Sequence, residues 1–371
     1  MPNKKKVTMK DIAEDSGMSV AAVSMILNKR ENVSFSAETV EKVMASAKKL
    51  GYGLKISKAE AQVMGSRFRN MVVVFCPNII NPYYSTIAQA VDQVAHQKGY
   101  RTMVVTTFRD PELEKELILD AIQMNAAGII FTMMPDDPGF LEKMSQQISV
   151  IVIGDKAMSM DISVIETNNY TAGVLMAEHL YELGHRYIAF LTTTIGTNLA
   201  LAMRYQRLKA IQETYQKLAM NEPYEIIVKE KKITPSLERK NIFLEHGVGY
   251  NLCKECLEDR NLSRITAFIG NNDMVSYGIM DAILKKGYEI PGDFSVCGFD
   301  NDFASSFLPI SLTTIEQYME DKGKKAFEML YQKIHGENIF LNDQKSIMRI
   351  EYKSQLIVRD STNVARKGLP H

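Results

Sequence analysis

The chain has 371 residues, 46% of them hydrophobic and 24% charged, with 44 basic and 44 acidic side chains and no net charge. That length allows two or three domains and a sizeable core. No apolar run reaches the ~18 residues a membrane span needs, and the basic start MPNKKKVTMKD lacks the apolar stretch of a secretory signal.

The charge is unevenly placed. Residues 1–70 hold thirteen Lys or Arg against seven Asp or Glu, so an acidic remainder balances a basic head. That asymmetry fits a nucleic-acid partner held by the head, although a solvated helix surface would look similar. Cys76, Cys253, Cys256 and Cys297 are scattered, which suits reduced thiols in a cytoplasm. Cys253 and Cys256 form a lone CxxC with no partners at matching spacing, so they read as ordinary core or surface cysteines. No metal site and no cofactor is expected.

The first elements lie in 7–28, VTMKDIAEDSGMSVAAVSMILN. The pattern predicts two short helices joined at Gly17, where a φ > 0 residue closes a turn cheaply. Thr8 caps the first helix, with Asp11 three residues on as a variant capping box. Ile12 and Ala13 form its apolar face. Ser19 caps the second helix, and Val23, Ile26 and Leu27 recur at helical spacing toward the first. That leaves Ser19, Val20, Ala21, Ser24 and Met25 on the exposed face, the surface a helix-turn-helix module places in the major groove. Thr8 and Asn28 flank it. After a polar loop, Ser36 begins a third helix with Val40, Val43, Met44, Ala47 and Leu50 on one face. Lys29, Arg30, Lys48 and Lys49 are placed to meet phosphates, contacts that supply affinity more than sequence choice. Residues 1–52 are thus a helix-turn-helix domain, and the polar, Ala-rich stretch 53–70 is a linker.

From Met71 the pattern becomes alternating strands and helices. MVVVFCP, RTMVVTT, AGIIFTM and SVIVIGD read as strands buried in a parallel sheet. Helices are expected at Tyr84 to Lys98 and Pro111 to Asn125. The alternation restarts with a helix at Ala172 to Leu183, strand YIAFLTT, a helix at Leu201 to Leu218 and strand YEIIVKE. A helix at Gly249 to Leu257, TAFIG, a helix at Met274 to Lys286 and FSVCGFD follow. Repeated β-α units mean doubly wound α/β architecture. Two consecutive sets imply two similar lobes within 71–371, with ligands outside the carboxyl ends of the strands.

The chain closely resembles the LacI/GalR family of bacterial transcription regulators. The resemblance rests on the order of several stretches: 7–28, LGY at 50–52, NPYY at 81–84, HLYELGHRYIAFL at 179–191, TAFIGNNDMVSYGIMDAILKKGYEIPGDFSVCGFDN at 266–301, LTTIEQ at 312–317 and LIVRDST at 356–362. It implies an all-α helix-turn-helix head, a hinge helix and a two-lobed effector domain like periplasmic sugar-binding proteins. It also implies a cytoplasmic homodimer on a near-palindromic stretch of double-stranded operator DNA. Lobe 1 is expected at about 71–167 and 319–346, and lobe 2 at about 169–316 and 349–362. The three crossovers are expected near Thr167–Asn169, Glu316–Met319 and Ser346–Met348. Carried over by position, the effector pocket holds Tyr83, Tyr84, Arg204, Asn272, Asp300 and Gln317, with Asp155 a further contact. Carboxylate and amides suit hydroxyls, and aromatic faces suit an apolar sugar face. Arg204 equally suits a carboxylate or phosphate. The tyrosines also fit as half-core residues, and Asp300 as a loop cap.

The sequence departs from the family in two places. Met25 stands where the second helix usually has an arginine, and Ala22 replaces a usual threonine. Arginine reading guanine is the commonest specific base contact, and methionine cannot make it. Met25 and Val20 are expected to read apolar features such as thymine methyls. In the hinge, Leu54-Lys55 replace a usual Pro-Asn, and Lys58 and Ala61 fall at the later positions. Val63 or Met64 would supply a minor-groove wedge in another register. The tail after Thr362 has no heptad pattern, so a dimer is expected.

The function this reading predicts is operator binding switched by a small, carbohydrate-like effector, most simply repression. Corepression and activation stay open. A solute-binding protein without regulatory role is disfavoured by the basic head. An enzyme is disfavoured because Asp300 has no paired carboxylate for glycoside hydrolysis, and Walker A and metal-ligand motifs are absent. His185, at a helix-to-strand turn, reads as structural.

Overall fold

Why the head folds is visible in its caps. A computed structural model describes residues 7–27, 35–50, 52, 68–154, 160–194, 202–307, 309–336 and 347–368. The chain divides into two compact units, 1–67 and 68–371. In the first, α1 (Met9–Ser16) begins with the full capping box: Thr8 N–H donates to Asp11 Oδ2 at 2.6 Å, and Asp11 N–H donates to Thr8 Oγ1 at 3.4 Å. Gly17 ends it in the left-handed region at φ 71°, a conformation that spares it a Cβ clash. Ala22 N–H donates to Ser19 Oγ, the cap of α2 (Val20–Leu27), at 3.1 Å. Against them packs α3 (Ala37–Leu50). Ile12, Ala13, Val23, Ile26, Val43 and Ala47 form the core, with Leu27 and Leu50 against it.

The expected face of α3 needs correction. Val40 and Met44 are exposed, at 37% and 39%. The partner helices pack on the stripe of Val43, Ser46 and Ala47, and Val40 and Met44 lie on its flank. Ser46 is buried instead, donating to Asp15 Oδ2 at 2.7 Å, and Lys49 bonds the other Asp15 oxygen at 2.7 Å. The hinge residues Leu54, Lys55, Lys58, Ala61, Val63 and Met64 lie outside the described residues.

The body builds two sheets. The first lobe runs β1 (Met71–Cys76), α4 (Pro82–Gln97), β2 (Arg101–Thr106), α5 (Pro111–Gln123), β3 (Gly128–Phe131), α6 (Pro138–Met144), β4 (Ser149–Gly154) and β5 (Ser163–Thr167). The second runs α7 (Asn169–Glu182), β6 (Tyr187–Thr193), α8 (Ala202–Ala219), β7 (Glu225–Lys231), α9 (Pro235–Lys240), α10 (Leu244–Glu258), β8 (Ala267–Gly270), α11 (Asp273–Lys285), β9 (Ser295–Cys297) and β10 (Thr314–Ile315). The chain ends with α12 (Met319–His335), β11 (Arg349–Tyr352) and β12 (Leu356–Ile357). The six-stranded sheet has the order β11-β5-β4-β3-β1-β2 and is parallel throughout. The four-stranded sheet, β7-β6-β8-β9, is also parallel.

Alternation along these buried strands assigns their two faces. Val72 and Val74 join the cluster under α4 and α12, while Val73 and Phe75 join the cluster under α5 and α6. In the second lobe Ala189 and Leu191 face α10 and α11, and Ile188 and Phe190 face α7 and α8. Both lobes are therefore doubly wound, helices covering each face of the sheet.

The chain passes between sheets after β5, and again between β10 and α12, which packs on α4 and β4. The third crossing differs from expectation. Residues 349–352 form β11, paired in register with β5 of the first sheet (Ile350 beside Ile165), so the chain leaves lobe 1 only after Tyr352. It then pairs β12 antiparallel to β10. The edge strand alternates exposed and half-buried residues, so it shows no apolar run. The short elements α6, α9 and β5 also went unread in the sequence.

The cysteines are free and buried, and Cys253 and Cys256 pack in the second lobe's core on α10. His185 is buried in the turn between α7 and β6, where Nδ1 lies 2.8 Å from Thr266 Oγ1 and Nε2 lies 3.0 Å from the Asn363 carbonyl. Burial depresses its pKa to about 4. Among the described residues no helix is long and apolar enough to cross a membrane.

Candidate functional site

Two surfaces carry the predicted residues. On the head, α2 turns Val23 and Ile26 inward. Ser19, Val20 and Ala21 are exposed, and Ser24 and Met25 half-buried, along the other face. Val20 is an exposed apolar residue at 46%. Thr8 is exposed at the start of α1, its side chain engaged in the cap. Asn28, Lys29 and Arg30 lie outside the described residues.

The second surface is the cleft between the lobes of the body. Asn81 accepts a hydrogen bond from Tyr83 N–H at 2.9 Å and so starts α4, with Pro82 in its first turn. This cap places Tyr83 and Tyr84 at the carboxyl end of β1. Their rings meet edge to face, 5.2 Å apart. On α8, Arg204 donates to the Thr194 carbonyl at 3.1 Å and pairs with Glu245 at 3.6 Å. Arg207, one turn on, donates to Asn169 Oδ1 at 2.8 Å and to the Asn271 carbonyl at 2.6 Å, its guanidinium over the Phe299 ring. Asn272 caps α11, accepting from Val275 N–H at 2.9 Å.

Asp300 follows β9. Its backbone donates to the Ile315 carbonyl at 3.0 Å, and its φ is 152°, a region L-residues rarely adopt. Burial raises its carboxyl well above the usual range. Asp273 adds to the shift, and the Arg207 charge partly offsets it. Asp273 itself is raised to about 7 by burial and by Asp302, although it accepts from Thr314 Oγ1 at 2.6 Å.

Tyr83, Tyr84, Arg204, Asn272 and Asp300 line one cavity of about 40 Å³, together with Asn81, Arg109, Met203, Arg207 and Asn271. Gln317 is buried outside that lining. Its Oε1 accepts from Lys322 at 3.3 Å, and its Nε2 has no partner among the described residues. Asp155 lies outside the described residues.

The cleft is closed by contacts from the second lobe to the first. Asn78 donates to Glu238 at 2.9 Å, and Asn81 donates to Glu245 at 2.6 Å. Arg109 pairs with Glu238 at 3.4 Å, and Arg239 with Asp110 at 2.6 Å. Arg109 also donates to Tyr84 Oη at 3.0 Å. Sequence reasoning missed Arg109, Arg207, Asn271, Glu238 and Glu245. Arg109 follows a strand's carboxyl end and Arg207 sits three residues from Arg204, so both carried a usable signal. The glutamates carried none.

Residues 8–53 match bacterial regulatory proteins of the lacI family, and 70–214 match the periplasmic binding proteins and sugar binding domain of the LacI family. Residues 177–362 match a periplasmic binding protein-like domain. The chain belongs to the LacI family.

It is thus a DNA-binding transcriptional regulator with a two-lobed effector domain. This LacI-family chain is 28% identical to the HTH-type transcriptional repressor PurR of Mannheimia succiniciproducens, over 95% of this chain and 98% of that one. It is 26% identical to the ribose operon repressor of Halalkalibacterium halodurans, over 96% and 97%. The solved lac repressor dimer, bound to operator and the anti-inducer ONPF, shares the fold with a TM-score of 0.65 at 23% identity, over 97% and 100%. A LacI family transcriptional regulator from Enterococcus faecium with bound ribose has a TM-score of 0.66 at 18% identity, over 80% and 100%.

Proposed function

We propose that this protein is a cytoplasmic, non-enzymatic repressor that binds a near-palindromic operator as a homodimer and releases it in response to a polyhydroxyl effector. The observation that carries the effector class is the convergence of two tyrosines, Arg204, Asn272 and Asp300 on one cavity between the lobes. Asp300 accepts from ligand hydroxyls, the asparagine amides donate and accept, and the tyrosine faces cover the apolar side of a sugar ring. The relatives named as a ribose operon repressor and as a regulator with bound ribose support a carbohydrate.

The ligand acts only through its differential affinity for two arrangements of the lobes. In the closed arrangement the inner cavity admits little more than water. A sugar therefore enters by displacing the contacts of Glu245 with Asn81 and Arg204. The exposed face of α2 reads the major groove, with Val20 and Met25 against apolar base edges.

The test is a thermal-shift screen against sugars, sugar phosphates, nucleosides and small acids. A ligand at ~100 times its Kd adds roughly 2.7 kcal/mol to stability. The expected hit is a sugar, lost in both Asp300→Ala and Arg204→Ala, that weakens operator binding measured by fluorescence anisotropy. A hit that survives both substitutions, or hits confined to nucleosides, overturns the reading.

A further inference from the structure

The residues of α2, VAAVSMIL, include no charged side chain. Its outer face offers hydroxyls, small apolar groups and one thioether, that of Met25. Val20 is exposed and Met25 half-buried on that face, while Val23 and Ile26 fill the head's core. Met9 and Met18 serve the head differently, because they pack against that core. The Met25 sulfur is also the one atom of α2 that a mild oxidant attacks.

Susceptibility follows exposure. Many methionines of the body are shielded: Met133, Met134, Met160, Met176 and Met329 are at most 2% exposed. Met44 on α3 and Met220 after α8 are open, at 39% and 88%, and neither belongs to α2. At Met25 the sulfur gives a lone pair to one oxygen of hydrogen peroxide. The O–O bond breaks, and the other oxygen leaves with both protons as water. The sulfur is oxidised by two electrons, the peroxide is reduced, and an S=O bond remains. An apolar side chain has become a polar one with a strong acceptor. Against a thymine methyl that acceptor meets no donor, and burying it unsatisfied costs affinity. With no charge on α2, no ion pair from the same helix offsets the loss. In the proposed homodimer the cost is applied twice, once in each half-site.

We propose that Met25 is an oxidant-sensitive switch: hydrogen peroxide converts it to the sulfoxide and releases the operator independently of the cleft, and reduction of the sulfoxide restores binding. This rests on the reading of α2 as the base-contacting face.

The experiment uses the full chain and the operator returned by binding-site selection. In anisotropy titrations, affinity should fall about tenfold or more after peroxide treatment and recover after methionine sulfoxide reductases acting on both epimers. Met25→Leu keeps an apolar side chain without sulfur, and the same treatment should cost it about twofold or less. An equal loss in Met25→Leu overturns Met25 as the seat of the switch. So does full affinity in a parent whose sulfoxide at Met25 is established by peptide mass spectrometry. A second measurement needs no variant. When partly oxidised protein is passed over immobilised operator, the sulfoxide at Met25 should collect in the unbound fraction, while those at Met44 and Met220 divide evenly. Even division at Met25 as well overturns the inference. Peroxide footprinting separates this from failure of the α2 reading: bound operator should slow oxidation of Met25 and leave Met220 at its free rate. If Met25 oxidises as fast in the complex as alone, the α2 reading fails and the inference falls with it. Shielding of Met25 with unchanged affinity on oxidation refutes the inference alone.

Discussion

Glu238→Gln should open the cleft of the free protein. Glu238 and Arg109 are 7% and 15% exposed in their side chains and 3.4 Å apart, one on each side of the cleft. At that distance and an effective dielectric near 20 the attraction is about 5 kcal/mol. Glutamine keeps an oxygen for the Asn78 amide but removes the charge. Part of the loss is recovered, because Glu245 also lies close enough to raise the Arg109 pKa, and the Tyr84 hydroxyl still accepts. Removing a carboxylate also removes its own desolvation cost. The net penalty is about 2 kcal/mol, and it falls on the closed arrangement alone, since opening returns Arg109 to water. That lowers the closed-to-open ratio about thirtyfold. Single-molecule energy transfer between dyes on Glu116→Cys and Lys240→Cys, both exposed and on opposite lobes, reads this ratio. The native cysteines do not compete, because burial holds all four thiols above their ordinary pKa. A distance distribution identical in the parent and the Gln variant would refute the claim that this pair holds the lobes together.

Other perturbations reach the remaining elements. His185 has a folded pKa of about 4, below the ordinary value. Its contribution is complete above pH ~6.5 and drains as the pH falls toward 4, where only the unfolded chain takes the proton. Between pH 7 and 4.5 the parent should therefore lose roughly 2–3 kcal/mol more than His185→Gln in urea unfolding, and parallel losses would count against it. Gly278→Ala would set a Cβ 2.0 Å from the His246 carbonyl oxygen, where α10 and α11 cross. Neither backbone can yield cheaply, so a cost of about 3 kcal/mol is expected, seen calorimetrically as a Tm lowered by roughly 6 °C or more. Met25→Arg should introduce a guanine preference at one position per half-site. Binding-site selection that returns the same motif for both proteins would remove Met25 from the base-reading set.

The sequence alone determined what short-range chemistry decides. The Thr8–Asp11 box, the Gly17 turn and the Ser19 cap involve atoms within three or four residues, and each formed as the pattern implied. The continuous apolar strands declared parallel sheets, because strands buried on both faces have no polar side to show. The order of the motifs then carried the family. Tertiary structure decided whatever depends on partners far along the chain. Val40 and Met44 have apolar side chains at helical spacing, yet they stay partly exposed, because α1 and α2 pack on the neighbouring stripe of Val43 and Ala47. Residues 349–352 joined the first sheet beside β5, a pairing across more than 180 positions that no local pattern encodes. Glu238 and Glu245 look like ordinary surface acids on short helices. Only closure of one lobe against the other buries them beside Arg109 and Asn81, 129 and 164 positions away respectively. Periodicity reports which face of an element is apolar. Which polar side chains meet across a cleft is set by how two folded lobes come together, and that geometry exists only once both are packed.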